Sequence, residues 1–390
     1  MNVSGIIAEF NPLHKGHEYL IKTAKEEGPV VVVISGNFVQ RGDVAIAEKR
    51  IRTKMALQSG ADLVLELPVL WSMSTAQNFA LGGVSVLGYA GCDRLIFGSE
   101  CGDIEKLQKT ADILLSPEFS LQLEKLSHKK ETFAKLRQEA AEICEAPKGI
   151  LQNPNNNLAI EYILAARKNK IPFDFSTVKR VGAMHDSFCE AEFVSASLLR
   201  EKLKQNDFDF CKKYMPQSSL ELLNKSNIAD IARIERAILA LLRTRTIEEL
   251  QKLPDLSEGV ENKLFEALRV AEDLDMLYNE IKVKRYTLAR VRRLVLSAFL
   301  GADNQFFMKP PPYIRVLGFN KTGEQLLKTK LKNSPVPVVT TVAEIKRLNE
   351  DAQKVFAVET RATDLYSLSL PQVLPCGLEY TSKIIKTGEF

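Results

Sequence analysis

No apolar run in this chain approaches the roughly 20 residues that a membrane-spanning helix needs, so no membrane association is expected. The opening Met1–Ile7 stretch has no basic segment and runs straight into acidic Glu9, which does not read as a secretory signal. The six cysteines (Cys92, Cys101, Cys144, Cys189, Cys211 and Cys376) include no C-x-x-C pair. That argues against a disulfide framework or a zinc site and fits a reducing cytoplasm. Also missing are a G-x-x-x-x-G-K-[ST] loop, a G-x-G-x-x-G turn and a G-x-S-x-G elbow. P-loop phosphate binding, Rossmann dinucleotide binding and α/β-hydrolase chemistry are therefore not expected. Histidine is scarce, with four among 390 residues.

What is present is globular: 45% of residues are apolar and 26% charged, too apolar for disorder. The length suits two or three domains at roughly 100–200 residues each. A net charge of +4 hints at a polyanionic partner, depending on where the charge sits. Val3–Phe10 reads as a short buried strand, broken by Asn11-Pro12-Leu13, with a helical pattern starting near His14. The β-branched run Pro29–Ile34 fits a buried parallel strand, followed by a turn at Ser35-Gly36-Asn37 and a helix over Ala47–Ser59 that carries Lys49, Arg50, Arg52 and Lys54. Asp62–Pro68 and Arg94–Gly98 are further strands, with a helix over Ala76–Ala90 between them. This alternation predicts an α/β fold with a doubly wound parallel sheet, whose ligands bind beyond the carboxyl ends of the strands. The loops after Phe10, Ile34, Leu67 and Phe97 are thus the ones to watch.

Residues 103–145 read as polar helices, Gln152–Asn157 as a loop before a helix at Leu158–Lys168, and Thr177–Val181 as the last strand of the sheet. The segment from Ala191 turns helical near Ser195-Ala196-Ser197. Helices are expected over Ile228–Arg243, Leu256–Leu274 and Ile281–Phe299, then a stiff Pro310-Pro311-Pro312 spacer and strands at Ile314–Phe319 and Val336–Thr340.

His14-x-Gly16-His17 carries the chemistry. Two histidines three apart in a first helical turn face one side, where backbone N–H groups and the positive helix end also point. That arrangement suits a phosphate with two imidazole donors above it. Donors fixed beforehand stabilise the charge that gathers on phosphate oxygens when an α-phosphate is attacked. Gly16 leaves room for a flat base against the backbone. The bland alternative is a pair of surface or core histidines. A helical zinc pair would prefer i, i+4 spacing with a carboxylate, so no metal ligands are assigned.

Phe10-Asn11-Pro12-Leu13-His14-Lys15-Gly16-His17 resembles the signature of the HIGH-motif nucleotidyltransferases, and Val194-Ser195-Ala196-Ser197-Leu198-Leu199-Arg200 their second phosphate-binding segment, with Ala196 and Ser197 as departures. Ser35–Gly42, Arg52–Gly60, Phe97-Gly98-Ser99-Glu100, Pro154-Asn155-Asn156, Val178–Gly182, Lys284–Arg290 and Tyr313–Phe319 are similar to one bacterial family, tRNA(Met) cytidine acetate ligase. The resemblance implies a Rossmann-like HIGH-type catalytic domain at 1–204 with a helical insertion at 103–150. A basic, tRNA-binding helical region at 205–308 and a small C-terminal α/β unit at 309–390 would follow.

It also implies the reaction. Acetate and ATP form acetyl-adenylate, and the acetyl group passes to N4 of the wobble cytidine of elongator tRNA(Met). Acetyl-CoA takes no part, magnesium accompanies the triphosphate, and no obligate protein partner is implied. His14 and His17 would be catalytic. ATP would lie against Ile7, Ala8, Glu9, Phe10, Asn11, Pro12, Leu13, His14, Lys15, Gly16, His17 and Leu20, and meet Gly98, Asn155, Arg180, Val181, Ser197 and Arg200. Asn155 is chosen over Asn156 in a loop that departs from the family pattern.

For tRNA, the basic stretch Lys284, Arg285, Tyr286, Arg290 and Arg293 has no interleaved acid, and Tyr286, Arg290 and Arg293 are expected on one helical face. Each arginine has a bland reading as a surface ion pair, Ser197 as a plain N-cap, Gly98 as a turn glycine and Arg41 as a solvated loop residue. Glu9 and Glu100 invite an acid–base role, but an activated acyl-adenylate needs little beyond positioning, and none is assigned. The rival readings are a small-molecule adenylyltransferase and a non-catalytic tRNA-binding protein.

Overall fold

A computed structural model describes residues 2–129, 131–180, 194–257, 259–283 and 286–388. Val181, Lys284 and Arg285 lie outside the described residues. Five parallel strands form the heart of the molecule: β1 (Ser4–Ala8), β2 (Val30–Ser35), β5 (Leu63–Leu67), β6 (Arg94–Ser99) and β7 (Asp174–Lys179). Their order is β5-β2-β1-β6-β7, the doubly wound arrangement in which the chain reverses direction across the sheet at β1. A hairpin of β3 (Phe38–Val39) and β4 (Asp43–Val44) stands apart from this sheet.

Apart from the half-exposed edge strand β7, the parallel strands are rich in Val, Ile and Leu because both faces are covered. Val31, Val33 and Leu65 point to a core shared with the Ala76–Tyr89 and Pro154–Lys168 helices. Val30, Val32, Ile34 and Val64 point the other way, onto Ile21, Met55 and Ala56 of the Lys15–Lys25 and Lys49–Gln58 helices. Burying each such side chain is worth roughly 1.5–3 kcal/mol. At Gly83 a Cβ would come within 2.8 Å of the Ile7 branch methyl, so glycine there lets the Ala76–Tyr89 helix seat closely on β1.

The chain beyond 309 extends the same sheet. β8 (Ile314–Phe319) pairs antiparallel with β5, and β9 (Val338–Val339) and β10 (Ile385–Lys386) pair with β8. A separate apolar cluster gathers the helices between Ala229 and Leu300 with Phe38, Val69, Ala362 and Tyr366. No helix among the described residues is long and apolar enough to cross a membrane.

Several local expectations change; the expected Leu256–Leu274 helix, for one, is Val260–Val270. Among the described residues the last parallel strand is Asp174–Lys179, starting three residues before the expected Thr177, because its register follows β6 from Arg94↔Asp174 to Ser99↔Lys179. The supposed loop Gln152–Asn157 is partly helix: Asn153 is the N-cap and Pro154 the first helical residue, a position proline suits because its missing N–H would be unpaired there anyway. The expected Ile281–Phe299 helix is two helices, Leu274–Ile281 and Leu288–Leu300, the second capped by Thr287. Tyr286 therefore precedes the helix that carries Arg290 and Arg293.

Candidate active site

At the end of β1 the backbone turns sharply, with Phe10 at φ +47° and a cis Asn11–Pro12 bond. The turn is fastened from outside. Asn11 Oδ1 accepts the Ile46 N–H at 2.7 Å, and the Asn11 carbonyl accepts Arg200 Nη1 at 2.8 Å. Beneath it lies Arg52, fully buried: Nη1 donates to the carbonyls of Glu9 (2.7 Å) and Ser35 (3.0 Å), Nε to that of Ala47, and Nη2 to that of Gly36. One guanidinium thus satisfies four carbonyls where β1 and β2 end, which repays its desolvation as a forked donor can.

The Lys15–Lys25 helix then begins with histidines doing the capping. His14 is the N-cap, and its Nδ1 accepts the Gly16 N–H at 3.1 Å, while His17 Nδ1 accepts the His14 N–H at 3.4 Å. The rings stack with centroids 3.8 Å apart, and the Phe10 ring meets His17 edge-on at 5.1 Å. A ring nitrogen that accepts cannot carry the proton, so in the neutral rings the N–H is at Nε2. Burial, reinforced by the Arg180 charge, pushes His14 down to about 3. Burial, then the His14 and Arg180 charges, push His17 well below its ordinary range, opposed by a hydrogen bond from its ring to the Pro12 backbone. Both are neutral donors at physiological pH.

The helix backbone is not the phosphate cradle that the motif suggests. The Lys15 N–H donates to the Tyr214 carbonyl, Gly16 N–H to His14 Nδ1, and His17 N–H to the His14 carbonyl. Those amides are spent within the protein, so the imidazoles must make the contact.

Three arginines surround the pair. Arg41 Nη1 and Arg200 Nη2 both donate to Ser197 Oγ, at 3.2 and 3.1 Å. Ser197 is not the helix cap; Ser195 takes that role for Ala196–Lys204 through the Leu198 N–H. Arg180 lies over Gly98, where a Cβ would stand 3.3 Å from its Cγ. None of the three arginines makes an ion pair with a carboxylate among the described residues, while most other close cation contacts here do. Glu9, Asp43 and Glu100 offset part of this charge without closing an ion pair; cations brought together repel one another, and an anion between them relieves the rest. The surface-pair alternative for Arg180 and Arg200 finds no partner.

Asn155 and Asn156 are held by Glu100, whose two oxygens accept the backbone N–H groups of Asn155 (3.0 Å) and Asn156 (2.6 Å), and also Asn155 Nδ2. Asn156 is buried with its Oδ1 on the Cys101 N–H, leaving Asn155 as the more accessible of the two. Glu100 is thus a helix-terminus brace. Of the remaining residues in the first segment, Ile7, Pro12 and Leu13 are buried, Ala8 and Leu20 half-buried, and Lys15 exposed.

The basic stretch stands beside this site rather than apart from it. Arg293 Nη1 donates to the Gln40 carbonyl at 3.1 Å, and a Cβ on Gly42 (φ +72°) would strike Arg292. The Leu288–Leu300 helix therefore seats the loop that carries Arg41. Its charges are partly neutralised, because Asp255 pairs with Arg290 at 3.3 Å and Arg293 at 3.8 Å. The guanidinium of Arg290 covers the Tyr286 ring at 4.6 Å, and the Tyr286 hydroxyl meets that of Ser257. The balancing acid comes from a distant loop, invisible to a scan of the helix alone. Arg52 was equally hidden, reading as one of four basic residues on the helix over Ala47–Ser59.

The comparisons with known proteins agree with this geometry. The HIGH Nucleotidyl Transferase family model matches residues 1–377. The chain is 37% identical to the tRNA(Met) cytidine acetate ligase of Thermoanaerobacter sp. (strain X514), covering 99% of this chain and 100% of that one. It is 39% identical to the protein of that name from Caldanaerobacter subterraneus subsp. tengcongensis, with the same coverage. Among solved structures, Thermotoga maritima TmcAL in its apo form superposes with a TM-score of 0.92 at 29% identity over 99% of both chains. The same protein bound with alpha-thio ATP gives 0.91 at 28% identity, also over 99% of both. A doubly wound sheet, paired histidines at the mouth of its first helix and near-complete alignment with these relatives place the chain in the HIGH nucleotidyltransferases, within the tRNA(Met) cytidine acetate ligase family.

Proposed function

We propose that this protein is an ATP-dependent acetate ligase that forms acetyl-adenylate and acetylates N4 of the wobble cytidine in elongator tRNA(Met). The observation that carries the reading is the pair of neutral imidazoles, each with Nδ1 taken by a capping bond, set beside arginines that close no ion pair among the described residues. An acetate oxygen attacks the α-phosphorus and pyrophosphate leaves. The His14 and His17 Nε2–H groups hold the equatorial phosphate oxygens as negative charge gathers there. Arg41 and Arg200, already converging on Ser197, take the departing pyrophosphate through fixed forks. Arg180 beside Gly98, with Asn155, faces the nucleoside side.

Magnesium would travel with the triphosphate, held by phosphate oxygens and water as that ion prefers. Among the described residues no group of three or more His, Cys, Asp or Glu side chains converges to hold a metal. Acetyl-CoA has no part in this chemistry, since the adenylate already activates the acetyl group. Residues 1–204 would form the catalytic unit, 205–308 the tRNA-facing one, with Tyr286, Arg290, Arg293 and the sequence neighbours Lys284 and Arg285 meeting the backbone. The reading places the enzyme in the cytoplasm, where tRNA is modified.

Incubation with ATP, radiolabelled acetate and tRNA(Met) transcript should label cytidine; label nowhere rules the ligase out. Pyrophosphate exchange into ATP should depend on acetate. Exchange driven instead by a phosphorylated metabolite would favour a small-molecule adenylyltransferase. Asp255→Asn should strengthen tRNA binding by freeing Arg290 and Arg293, and steepen its salt dependence by up to about 0.9 in log–log slope per freed contact. Filter binding across a salt series measures both.

A further inference from the structure

The acetyl transfer releases a proton that neither the histidines nor the arginines of the site can accept. When cytidine N4 attacks the acetyl carbonyl, a C–N bond forms and the acyl C–O bond to phosphate breaks. AMP leaves with that electron pair as a weak base, and the N4 proton must go elsewhere. The histidines cannot take it: their Nδ1 atoms are occupied and their Nε2 atoms already carry hydrogen.

One carboxylate at the site is held in a manner suited to the task. Glu9 follows β1 directly. The β1–β2 register runs to Ala8↔Ile34, so its continuation sets Glu9 beside Ser35, and Arg52 Nη1 grips the carbonyls of both. Glu9 Oε1 is fixed by the Gln40 N–H at 2.7 Å, while Oε2 accepts no hydrogen bond from any described residue. Next to it, Ser35 Oγ is fully buried and has no partner either. Two adjacent strand ends thus present an unused acceptor and an unused hydroxyl, a few residues from the histidine pair. Buried polar atoms are seldom left unsatisfied unless a ligand or water completes them.

Two other carboxylates nearby are committed. Glu100 holds the Asn155 and Asn156 amides with both oxygens, and Glu66 lies in a buried ion cluster with Lys49 and Arg315. Asp43, on β4, resembles Glu9 in having one oxygen tied to a backbone N–H, its own neighbour's, and Glu48 makes no capping bond at its helix start.

We propose that Glu9 is the catalytic base that accepts the proton from cytidine N4. Carboxylates are the side chains that pair with the N4 amino group of cytosine, since it offers only donors. The charged and titratable groups facing Glu9 come from several elements: Arg41 from the loop after β2, Arg52 from the Lys49–Gln58 helix, Arg200 from Ala196–Lys204 and Tyr162 from Pro154–Lys168. Burial raises Glu9 above the ordinary carboxylate range, opposed by the Gln40 N–H and these arginines, so it accepts a proton more readily than a solvated glutamate would. The assignment rests on the acetyl-transfer reading above.

The test supplies synthetic acetyl-adenylate with tRNA(Met) transcript, bypassing adenylate formation, and follows acetylcytidine in single turnover against pH. Wild-type enzyme should show a rate that climbs as Glu9 ionises and then levels. Glu9→Gln, which keeps the acceptor for Gln40, should lose about a hundred- to ten-thousand-fold and the pH-dependent limb, while Asp43→Asn keeps the limb. Glu9→Gln should still bind tRNA(Met) transcript in filter binding. A Glu9→Gln rate within threefold of wild type, loss of the limb in Asp43→Asn, or loss of tRNA binding in Glu9→Gln would each overturn the assignment. Failure of wild-type enzyme to acetylate tRNA at all would instead sink the ligase reading itself.

Discussion

His17→Ala enzyme should lose acetate-dependent ATP–pyrophosphate exchange by roughly a hundred- to a thousand-fold, the usual effect of removing one fixed transition-state donor, yet still bind tRNA(Met). Alanine also deletes the acceptor of the His14 N–H, so part of the loss could reflect a frayed helix start, worth about 0.5–2 kcal/mol. His14→Asn separates the two effects. Asparagine is among the best N-caps and keeps the acceptor for the Gly16 N–H, but has no donor where Nε2–H stood. It should fold as stably as wild type and still lose exchange by a similar factor.

The pH dependence follows from the same burial. His14 sits near 3 when folded against an ordinary value of 6.5, so the unfolded chain binds more protons in that interval. Stability should rise with pH from about 3 to about 6.5 and be fully present above it. His14 contributes no ionisation to the rate profile near neutrality. Full exchange activity in His14→Asn, or a limb near neutrality that this substitution removes, would contradict the role.

Lys49→Met should destabilise the fold by about 3–5 kcal/mol, the range for removing one partner of a buried ion pair, measured as a lowered urea midpoint with unchanged slope. Lys49 is 4% exposed and its Nζ meets Glu66 of β5, Glu359 at 3.0 Å and Glu379 at 2.5 Å. Arg315 of β8 reaches Glu66 at 3.3 Å and also Glu379. Three carboxylates thus share two cations in a space closed to water, and one of them is better off protonated. Burial, with Glu66 as the nearest like charge, pushes Glu359 up to about 7, whereas Lys49 and Arg315 hold Glu379 down to about 2.

The folded state therefore keeps a proton on Glu359 that the unfolded chain releases near 4.5, and stability falls as pH rises from about 4.5 to about 7. Glu379 acts oppositely: its contribution is present above about 4.5 and lost as pH falls toward 2. Glu359→Gln should flatten the decline between about 4.5 and 7. An unchanged slope would place the proton elsewhere in the cluster.

This cluster also gives residues 320–390 a task that their sequence does not announce. Glu359 Oε2 accepts the Val69 N–H at 2.7 Å. Thr363 accepts Asn37 Nδ2 at 3.1 Å, and Tyr366 donates to the Ala45 carbonyl at 2.9 Å. The C-terminal helix Glu350–Ser367 thereby braces the 36–49 loop, which carries Gln40 and Arg41 to the site.

What was legible divides along physical lines. The inner parallel strands stood out because a strand buried on both faces has to be a continuous run of β-branched and apolar residues, as Val30–Ile34 is, whereas the half-exposed edge strand Asp174–Lys179 was read with its start misplaced. The histidine pair was legible because its function fixes spacing within one helical turn. Partners hundreds of residues apart were not. Nothing local to Lys49 or Arg52 distinguishes it from solvated Arg50 or Lys54, and Asp255 lies far from the arginines it neutralises. The Pro154 helix start was missed although proline in first position is a readable signal; the run of asparagines hid it. Ser197 resembled a cap because serine at a helix start usually is one, but Ser195, two residues earlier, takes that bond.

The central claim is that His14 and His17 are neutral, protonated at Nε2, and donate those hydrogens to the α-phosphate. Nitrogen-15 NMR of the imidazoles tests it directly, with and without alpha-thio ATP, and four histidines keep the assignment tractable. Both rings should show a proton on Nε2 and none on Nδ1 from about pH 5 upward, and the Nε2 signals should move when nucleotide binds. Imidazolium signals at neutral pH, protons on Nδ1, or Nε2 signals indifferent to nucleotide would contradict the account.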